Sequence, residues 1–285
     1  MPELRELRRK LDNVRDISEV VHAMRNLAAA YVRRAEAALD AIRPYTEIVE
    51  TALRIVLERS GRTRTAPERA PHCLAVVFAG EQGLCGAYNE RVVRAALAFR
   101  ESGAVPVDFA TVGRRAAGLL AAAGVQPVLA ARAPTSLEGI RAQAAELAAD
   151  IFEAYTGRAA TRMVFVYNAY ENMGRFREQT QTVLPPRLDR LGPGRKDAFR
   201  YEPILTAPPA ELLGDLIEEY FFIQLHRALF ESHCSENGAR LLAMTAASGN
   251  IEDRAEALTK EFQSARQDLI TTELLDVVAG SEALR

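Results

Sequence analysis

The chain has 285 residues, 48% of them apolar and 26% charged, which is typical of a globular protein with a substantial core. The formal net charge of −2 excludes a global basic field of the kind that binds nucleic acid. No apolar run reaches the roughly 18 residues that a membrane-spanning helix needs. The cysteines form no CxxC pair and no disulfide framework, which indicates a reducing compartment.

The first 59 residues carry a single apolar seam, in which apolar side chains recur at steps of three and four. The seam comprises Leu4, Leu7, Leu11, Val14, Ile17, Val21, Met24, Ala28, Tyr31, Ala35, Leu39, Ile42, Val49, Ala52 and Val56. A period of about 3.5 over this length predicts a coiled-coil helix on the order of 85 Å long. Because Pro44 cannot donate a helical hydrogen bond, we expect a bend near Arg43.

Strands and helices alternate from 71 to 207, after a polar connector at 60–67 that is predicted to be a loop. The predicted strands are 73–79, 106–112, 126–130, 162–170 and 176–184. The predicted helices are 90–100, 114–123 and 137–155, the last with Ser136 as its N-cap. The alternation predicts a central Rossmann-like α/β domain with a mainly parallel sheet, whose last strand pairs with the one before it. The proline- and glycine-containing segment 185–196 is predicted to be a loop.

The pattern from 209 to 285 is helical again, and Pro209 suits a first helical turn. Its apolar stripe consists of Ile251, Ala255, Leu258, Phe262, Ala265 and Leu269. Gly249 and Asn250 predict a local break in this helix. Long helices at both ends of one chain bury their seams most simply by packing antiparallel. The predicted fold class is therefore α/β plus coiled coil, with domains at 1–59, 71–207 and 209–285.

The run Gly83-Leu84-Cys85-Gly86, just after the first strand, can be interpreted in three ways. A phosphate-binding P-loop needs a longer glycine loop and a lysine, which this run lacks. A nucleophilic Cys85 needs a base and an electropositive setting, so a small α/β thiol enzyme stays an alternative without a recognisable base. The favoured interpretation is a tight strand-to-helix turn with a small buried thiol. His226 and His233, seven residues apart, do not make a metal site without further ligands.

Several groups of residues resemble, in their order and spacing, the gamma subunits of F-type rotary ATP synthases. Near the N-terminus they are His22-Ala23-Met24-Arg25, Ala28-Ala29-Ala30 and Arg43-Pro44-Tyr45, followed by Gly83-Leu84-Cys85-Gly86. In the C-terminal half they are Glu236, Ala239-Arg240, Ala243-Met244, Ala246-Ala247, Ala265-Arg266-Gln267, Ile270-Thr271-Thr272-Glu273 and Val278-Ala279-Gly280. The chain departs from the family in having Arg25 after the methionine and Glu81-Gln82 before the glycine run. The form of that run, the segment 250–252 and the segment 274–278 are similar to the alternate, often sodium-pumping bacterial subgroup.

The resemblance implies a noncatalytic central-stalk rotor that couples proton or sodium flow to ATP synthesis or hydrolysis at the beta subunits. It implies the alpha and beta subunits of the catalytic hexamer, the epsilon subunit and the membrane c-ring as partners, and no cofactor or metal. The expected location is peripheral, at the cytoplasmic face of the bacterial inner membrane. A coiled-coil scaffold with no motor function is a second alternative, and the coupling ion is left open.

The resemblance also implies five partner-interface residues, namely Met24, Arg240, Gln267, Thr271 and Glu273. Met24 matches the position where the shaft passes through the surrounding ring, although a methionine on a helix seam is equally a core filler. The matching positions of the other four form polar contacts with a loop of a catalytic beta subunit. Arg240 would bind a carboxylate there, since a guanidinium fork fits one bidentately. The alternative is that these polar groups simply face solvent.

Overall fold

The computed structural model describes residues 2–60, 71–103, 105–186 and 203–282, with only the backbone described at 2, 3, 273 and 276–282. Most of the predicted connector at 60–67, the predicted loop from 187 onward and residues 283–285 lie outside the described residues. The elements in chain order are α1 Pro2–Arg59, β1 Cys73–Phe78, α2 Tyr88–Ser102, β2 Val107–Val112, α3 Arg114–Ala122, β3 Leu129–Ala131, α4 Leu137–Gly157, β4 Arg162–Asn172, β5 Arg175–Leu184 and α5 Pro209–Glu282.

One five-stranded sheet, in the order β3-β2-β1-β4-β5, lies at the centre of the α/β part. Strand β1 pairs in parallel with β2 and with β4, and β2 pairs in parallel with β3. Strand β5 is antiparallel to β4, with which it forms a hairpin. The predicted Rossmann-like domain with a mainly parallel sheet is therefore confirmed. The predicted N-cap is also confirmed, since the Gly139 amide donates to the Ser136 hydroxyl at 3.0 Å.

The sheet is covered on both faces, which explains why β1 is apolar throughout and buried at every residue. Side chains alternate along the strand, so Leu74, Val76 and Phe78 join a different core cluster from Ala75 and Val77. The first cluster also includes residues of α1, α4 and α5, whereas the second is completed by α2 and α3. The two layers together position the loops at the carboxyl ends of the parallel strands.

The chain divides into two compact units, one formed by Ala29–Arg240 and the other by Met1–Ala28 with Leu241–Arg285. In the first unit, the Cys234 thiol faces the Val32 carbonyl at 3.9 Å, and the Tyr45 hydroxyl donates to Glu219 at 2.6 Å. The later residue of α1, Tyr45, thus contacts the earlier residue of α5, Glu219. The two helices therefore run antiparallel within this unit.

The unit formed by the chain ends has the same antiparallel arrangement. His22 lies 3.9 Å from Glu252, while Lys10, nearer the N-terminus, borders a groove with Glu261 and Asp268. Leu258 is 2% exposed and belongs to the seam of this unit. The predicted antiparallel pairing of the terminal helices is confirmed within each unit.

The predicted break at Gly249 and Asn250 is wrong, because α5 continues without interruption from Pro209 to Glu282. A glycine costs an exposed helix only about 1 kcal/mol. The Ser248 hydroxyl donates to Glu252 at 3.1 Å across this stretch, which supports the helix there. Helix α1 continues through Pro44, and the predicted bend near Arg43 stays a prediction. The domain boundaries at 59, 71, 207 and 209 also stay predictions. Among the described residues, no helix combines the length and hydropathy required to cross a membrane.

Candidate functional site

The Gly83–Gly86 turn, defined as residues 83–86, joins the end of β1 to α2 and has an unusual backbone. Leu84 has a φ of 61° and Gly86 a φ of 57°, so two of its four residues lie in the left-handed region. Asn89 ties the turn to its flanks, because its side-chain amide donates to the Cys85 sulfur at 3.2 Å and its carbonyl oxygen accepts from the Gly80 amide at 2.8 Å. The turn is thus closed by the first residues of α2.

The thiol of Cys85 lies inside this turn and is 2% exposed, packed with Tyr88, Ala239 and Phe176. Burial, and next the charge of Glu236, raise the pKa of the Cys85 thiol to about 11. A thiol held in its protonated form is a poor nucleophile, because the thiolate is the reactive species. The geometry therefore favours the structural interpretation of the turn over a thiol enzyme that uses Cys85.

Glu81, which departs from the family pattern before the glycine run, fixes the loops around the turn. Its buried carboxylate accepts the Arg114 and Ala133 amides, each at 3.2 Å, and pairs with the Arg114 and Arg132 guanidinium groups. Burial alone would raise the pKa of Glu81, but these hydrogen bonds and charges hold it below its ordinary value. Helix α3 begins after Gly113 and has no capping side chain and no acidic residue in its first turn. The Glu81 carboxylate, from outside the helix, therefore provides the negative charge at the start of α3.

The structure places Arg240 inside the α/β unit, where it is 8% exposed. Its guanidinium donates to the Glu236 carboxylate, to the Gly83 carbonyl at 3.3 Å and to the Asn237 side-chain oxygen at 3.0 Å. The guanidinium therefore already has a carboxylate partner in its own chain, at i−4 on the same helix. The predicted contact with a beta-subunit carboxylate stays a prediction.

The other predicted interface residues belong to the unit formed by the chain ends. Met24 is half-buried on α1, whereas Gln267 and Thr271 are exposed on α5. The Thr271 hydroxyl donates to the Gln267 carbonyl at 2.9 Å, so these two residues are in contact. The side chain of Glu273 lies outside the described residues. Gln267 and Thr271 are available to a partner, and no described contact joins them to Met24.

Two long helices that pair antiparallel within each unit, with an α/β domain inserted between them in sequence, define the class of this protein as α/β plus coiled coil. The family model described as "ATP synthase" matches residues 3–284. The chain belongs to the ATP synthase gamma-chain family. It is 31% identical to the ATP synthase gamma chain of Cyanothece sp. (strain PCC 7425 / ATCC 29141) over 320 residues that cover all of both chains. It is 29% identical over 300 residues to that of Anaeromyxobacter sp. (strain Fw109-5), again covering both chains completely.

Solved structures share the fold at lower sequence identity. The rotor of the Euglena gracilis mitochondrial ATP synthase, in rotational state 1, contains a chain that matches with a TM-score of 0.67 and 17% identity, over 94% of this chain and 99% of that one. A chain in the central stalk/c-ring structure of the Tetrahymena thermophila mitochondrial ATP synthase matches with a TM-score of 0.62 and 20% identity, over 80% of this chain and 99% of that one.

The recognition of a gamma subunit from the sequence is confirmed, and so are its function as the gamma chain of an ATP synthase and its noncatalytic nature. The assignment to the sodium-type subgroup stays a prediction.

Proposed function

We propose that this chain turns inside a ring of alpha and beta subunits and couples ion flow to ATP synthesis or hydrolysis by touching the three catalytic sites unequally. The observation that carries the proposal is the antiparallel pair of helices, since two helices have no threefold symmetry. An axle of this kind offers a different surface to each of three identical neighbours at any moment. Each neighbour then favours a different nucleotide affinity, and rotation passes these states around the ring.

The exposed side chains of the unit formed by the chain ends support this asymmetry. On α1, Ile17, Val20 and Leu27 are 54%, 58% and 53% exposed, and their spacing of three and seven places them along one face. On α5, the exposed residues near the C-terminus include the polar Gln267 and Thr271. The exposed surface of α5 is mixed, since Ile270, Leu274 and Leu275 are exposed there as well, so the two helices present different combinations of side chains to their neighbours.

Met24, Arg240, Gln267, Thr271 and Glu273 are proposed as contacts with the catalytic subunits, in agreement with their motif positions in the family. For Arg240 this contact would require the guanidinium to share or exchange its Glu236 partner. Gln267 and Thr271 need no such rearrangement, because both are exposed.

The α/β domain is proposed to dock on the epsilon subunit and the membrane c-ring, which places the chain at the cytoplasmic face of the bacterial inner membrane. Support comes from the fold neighbours, whose titles name a rotor and a central stalk/c-ring assembly. The coupling ion is a proton or sodium, and this subunit does not determine which.

Reconstitution with alpha and beta subunits tests the proposal. A Met173→Cys variant supplies an attachment point for a probe at the β4–β5 turn, since Met173 is 53% exposed while the three native cysteines are buried. We expect the complex to hydrolyse ATP and the probe to rotate only when ATP is present. Failure to co-purify with alpha and beta subunits, combined with self-association of the isolated chain, would instead support the non-motor scaffold.

A further inference from the structure

We propose that Arg240 is a positioning residue that, paired with Glu236, latches the Gly83–Gly86 turn in its strained conformation and so keeps Leu84 presented to solvent. The inference concerns the isolated chain and goes beyond the proposed rotary function.

The first observation is that Leu84 is both strained and exposed. A φ of 61° is unfavourable for a leucine, because its Cβ approaches the backbone in the left-handed region. The side chain is 61% exposed, so burial of its own apolar surface does not offset the strain. A conformation of this kind persists only where neighbouring groups hold it.

The second observation is that α5 contacts the turn and the segment just before it. The Arg240 guanidinium donates to the Gly83 carbonyl, the peptide group that immediately precedes Leu84. Glu236, one helical turn earlier, packs so closely that a Cβ at Gly80 would lie 2.8 Å from its carboxyl group. On another side of the turn, a Cβ at Gly83 would lie 2.6 Å from the Arg115 guanidinium. The Arg240 hydrogen bond is therefore the contact from α5 that fixes the Gly83 peptide, whereas the exposed Arg115 side chain on the other side can move aside.

The third observation is that Glu236 and Arg240 depend on each other. Burial raises the pKa of Glu236 even though Arg240 opposes the rise, and the carboxylate of Glu81 adds to it. Without its guanidinium partner, the Glu236 carboxylate would be an uncompensated buried charge. Arg240 satisfies that charge with the same terminal nitrogen that holds the Gly83 carbonyl. The other terminal nitrogen donates to the Asn237 side-chain oxygen at 3.0 Å, and a lysine, with a single ammonium group, cannot supply donors at both positions.

The native thiol of Cys85 reports on this latch, because it lies buried inside the turn and opening of the turn would expose it. The experiment measures iodoacetamide modification of Cys85 in the full-length chain under native conditions, resolved by peptide mass. Cys73 and Cys234 are buried elsewhere in the same molecule and serve as internal references. We expect Arg240→Lys and Arg240→Gln to increase the Cys85 rate by about tenfold, with the reference rates unchanged.

Two features make the readout specific. The charge of Arg240 lowers the pKa of the Cys85 thiol, so its removal by Arg240→Gln would slow modification if electrostatics alone acted. Arg227→Gln is the matched control, because Arg227 pairs with Glu231 at i+4 on the same helix, at 2.7 Å. It should leave the Cys85 rate unchanged.

A second variant isolates the strain. Asparagine tolerates the left-handed region better than leucine, so Leu84→Asn relieves the conformation that Arg240 is proposed to hold. The increase caused by Arg240→Lys should therefore shrink in the Leu84→Asn background. If Arg240→Gln does not fold, the milder Arg240→Lys carries the test in both backgrounds. The latch would be overturned by an unchanged Cys85 rate in Arg240→Lys or by an equal increase in Arg227→Gln. It would also be overturned if the effect of Arg240→Lys had the same size with and without Leu84→Asn.

Discussion

Gly113 lies against the carbonyl group of Ala79, so that a Cβ at position 113 would stand 2.1 Å from the Ala79 oxygen. The φ of Gly113 is 107°, and its amide donates to the Ala131 carbonyl at 2.9 Å. The residue therefore connects the ends of β1 and β3 at the start of α3, where only glycine fits.

Gly113→Ala is expected to lower the free energy of unfolding by about 3 kcal/mol or more, since it adds a backbone clash and a strained φ. Gly118→Ala, in the interior of α3, is the matched control. A Cβ at Gly118 meets nothing within 4 Å, so the change should stabilise the protein by roughly 0.5–1 kcal/mol. Urea unfolding followed by circular dichroism measures both, and equal effects of the two substitutions would contradict the assignment of Gly113.

His233 makes the α/β unit sensitive to acid. It is 5% exposed, and burial, assisted by the nearby Arg240 and opposed by Glu138, lowers the pKa of His233 to about 4. The unfolded chain binds this proton below an ordinary pKa of about 6.5, whereas the folded chain does so only near pH 4. The neutral imidazole therefore makes its full contribution to the free energy of unfolding above about pH 6.5. This contribution is lost as the pH falls towards 4, and about 2 kcal/mol of it is lost at pH 5.

His233→Gln should remove that loss, so unfolding free energies at pH 7 and pH 5 should differ by about 2 kcal/mol less in this variant than in the unmodified chain. His226→Gln, on the same helix, controls for the removal of a histidine and should retain the loss. The same pH dependence in His233→Gln and the unmodified chain would show that His233 is not responsible.

Local sequence pattern encodes some elements of this fold, whereas others depend on residues that only the folded chain brings together. The apolar run from Cys73 to Phe78 predicts β1, because every side chain of a strand covered on both faces is apolar. Ser136 predicts the N-cap of α4 from local chemistry alone. The i,i+4 spacing of Glu236 and Arg240 was also a readable signal, and it points to a partner within the helix. The role of Glu81 was not readable, because its donors come from Arg114, Arg132 and Ala133, which only the fold brings together.

The seam of the unit formed by the chain ends depends on Leu258, which is 2% exposed. Leu258→Asp places an unpaired charge in that seam and should lower the free energy of unfolding by about 3 kcal/mol or more. Leu242 lies on the same helix and in the same unit but is 53% exposed, so Leu242→Asp should change stability by no more than about 0.5 kcal/mol. Thermal melting followed by circular dichroism measures the stability of both variants. Equal stabilities of Leu258→Asp and Leu242→Asp would show that Leu258 does not belong to the seam.

Gln267 and Thr271 provide the sharpest functional prediction. Deleting 267–285 should weaken coupled ATP synthesis by the complex reconstituted in liposomes, because the proposed polar contacts with a beta subunit are removed.

Thr271→Ala alone should lower the coupled rate roughly two- to tenfold, the value of one lost hydrogen bond. Thr272→Ala is a matched control, since the Thr272 hydroxyl is exposed and donates to the Asp268 carbonyl at 2.9 Å, as the Thr271 hydroxyl does to Gln267. Measuring synthesis with a proton gradient and with a sodium gradient keeps the result independent of the coupling ion. Full coupled synthesis after the deletion, or equal losses in Thr271→Ala and Thr272→Ala, would remove this end of α5 from the proposed interface.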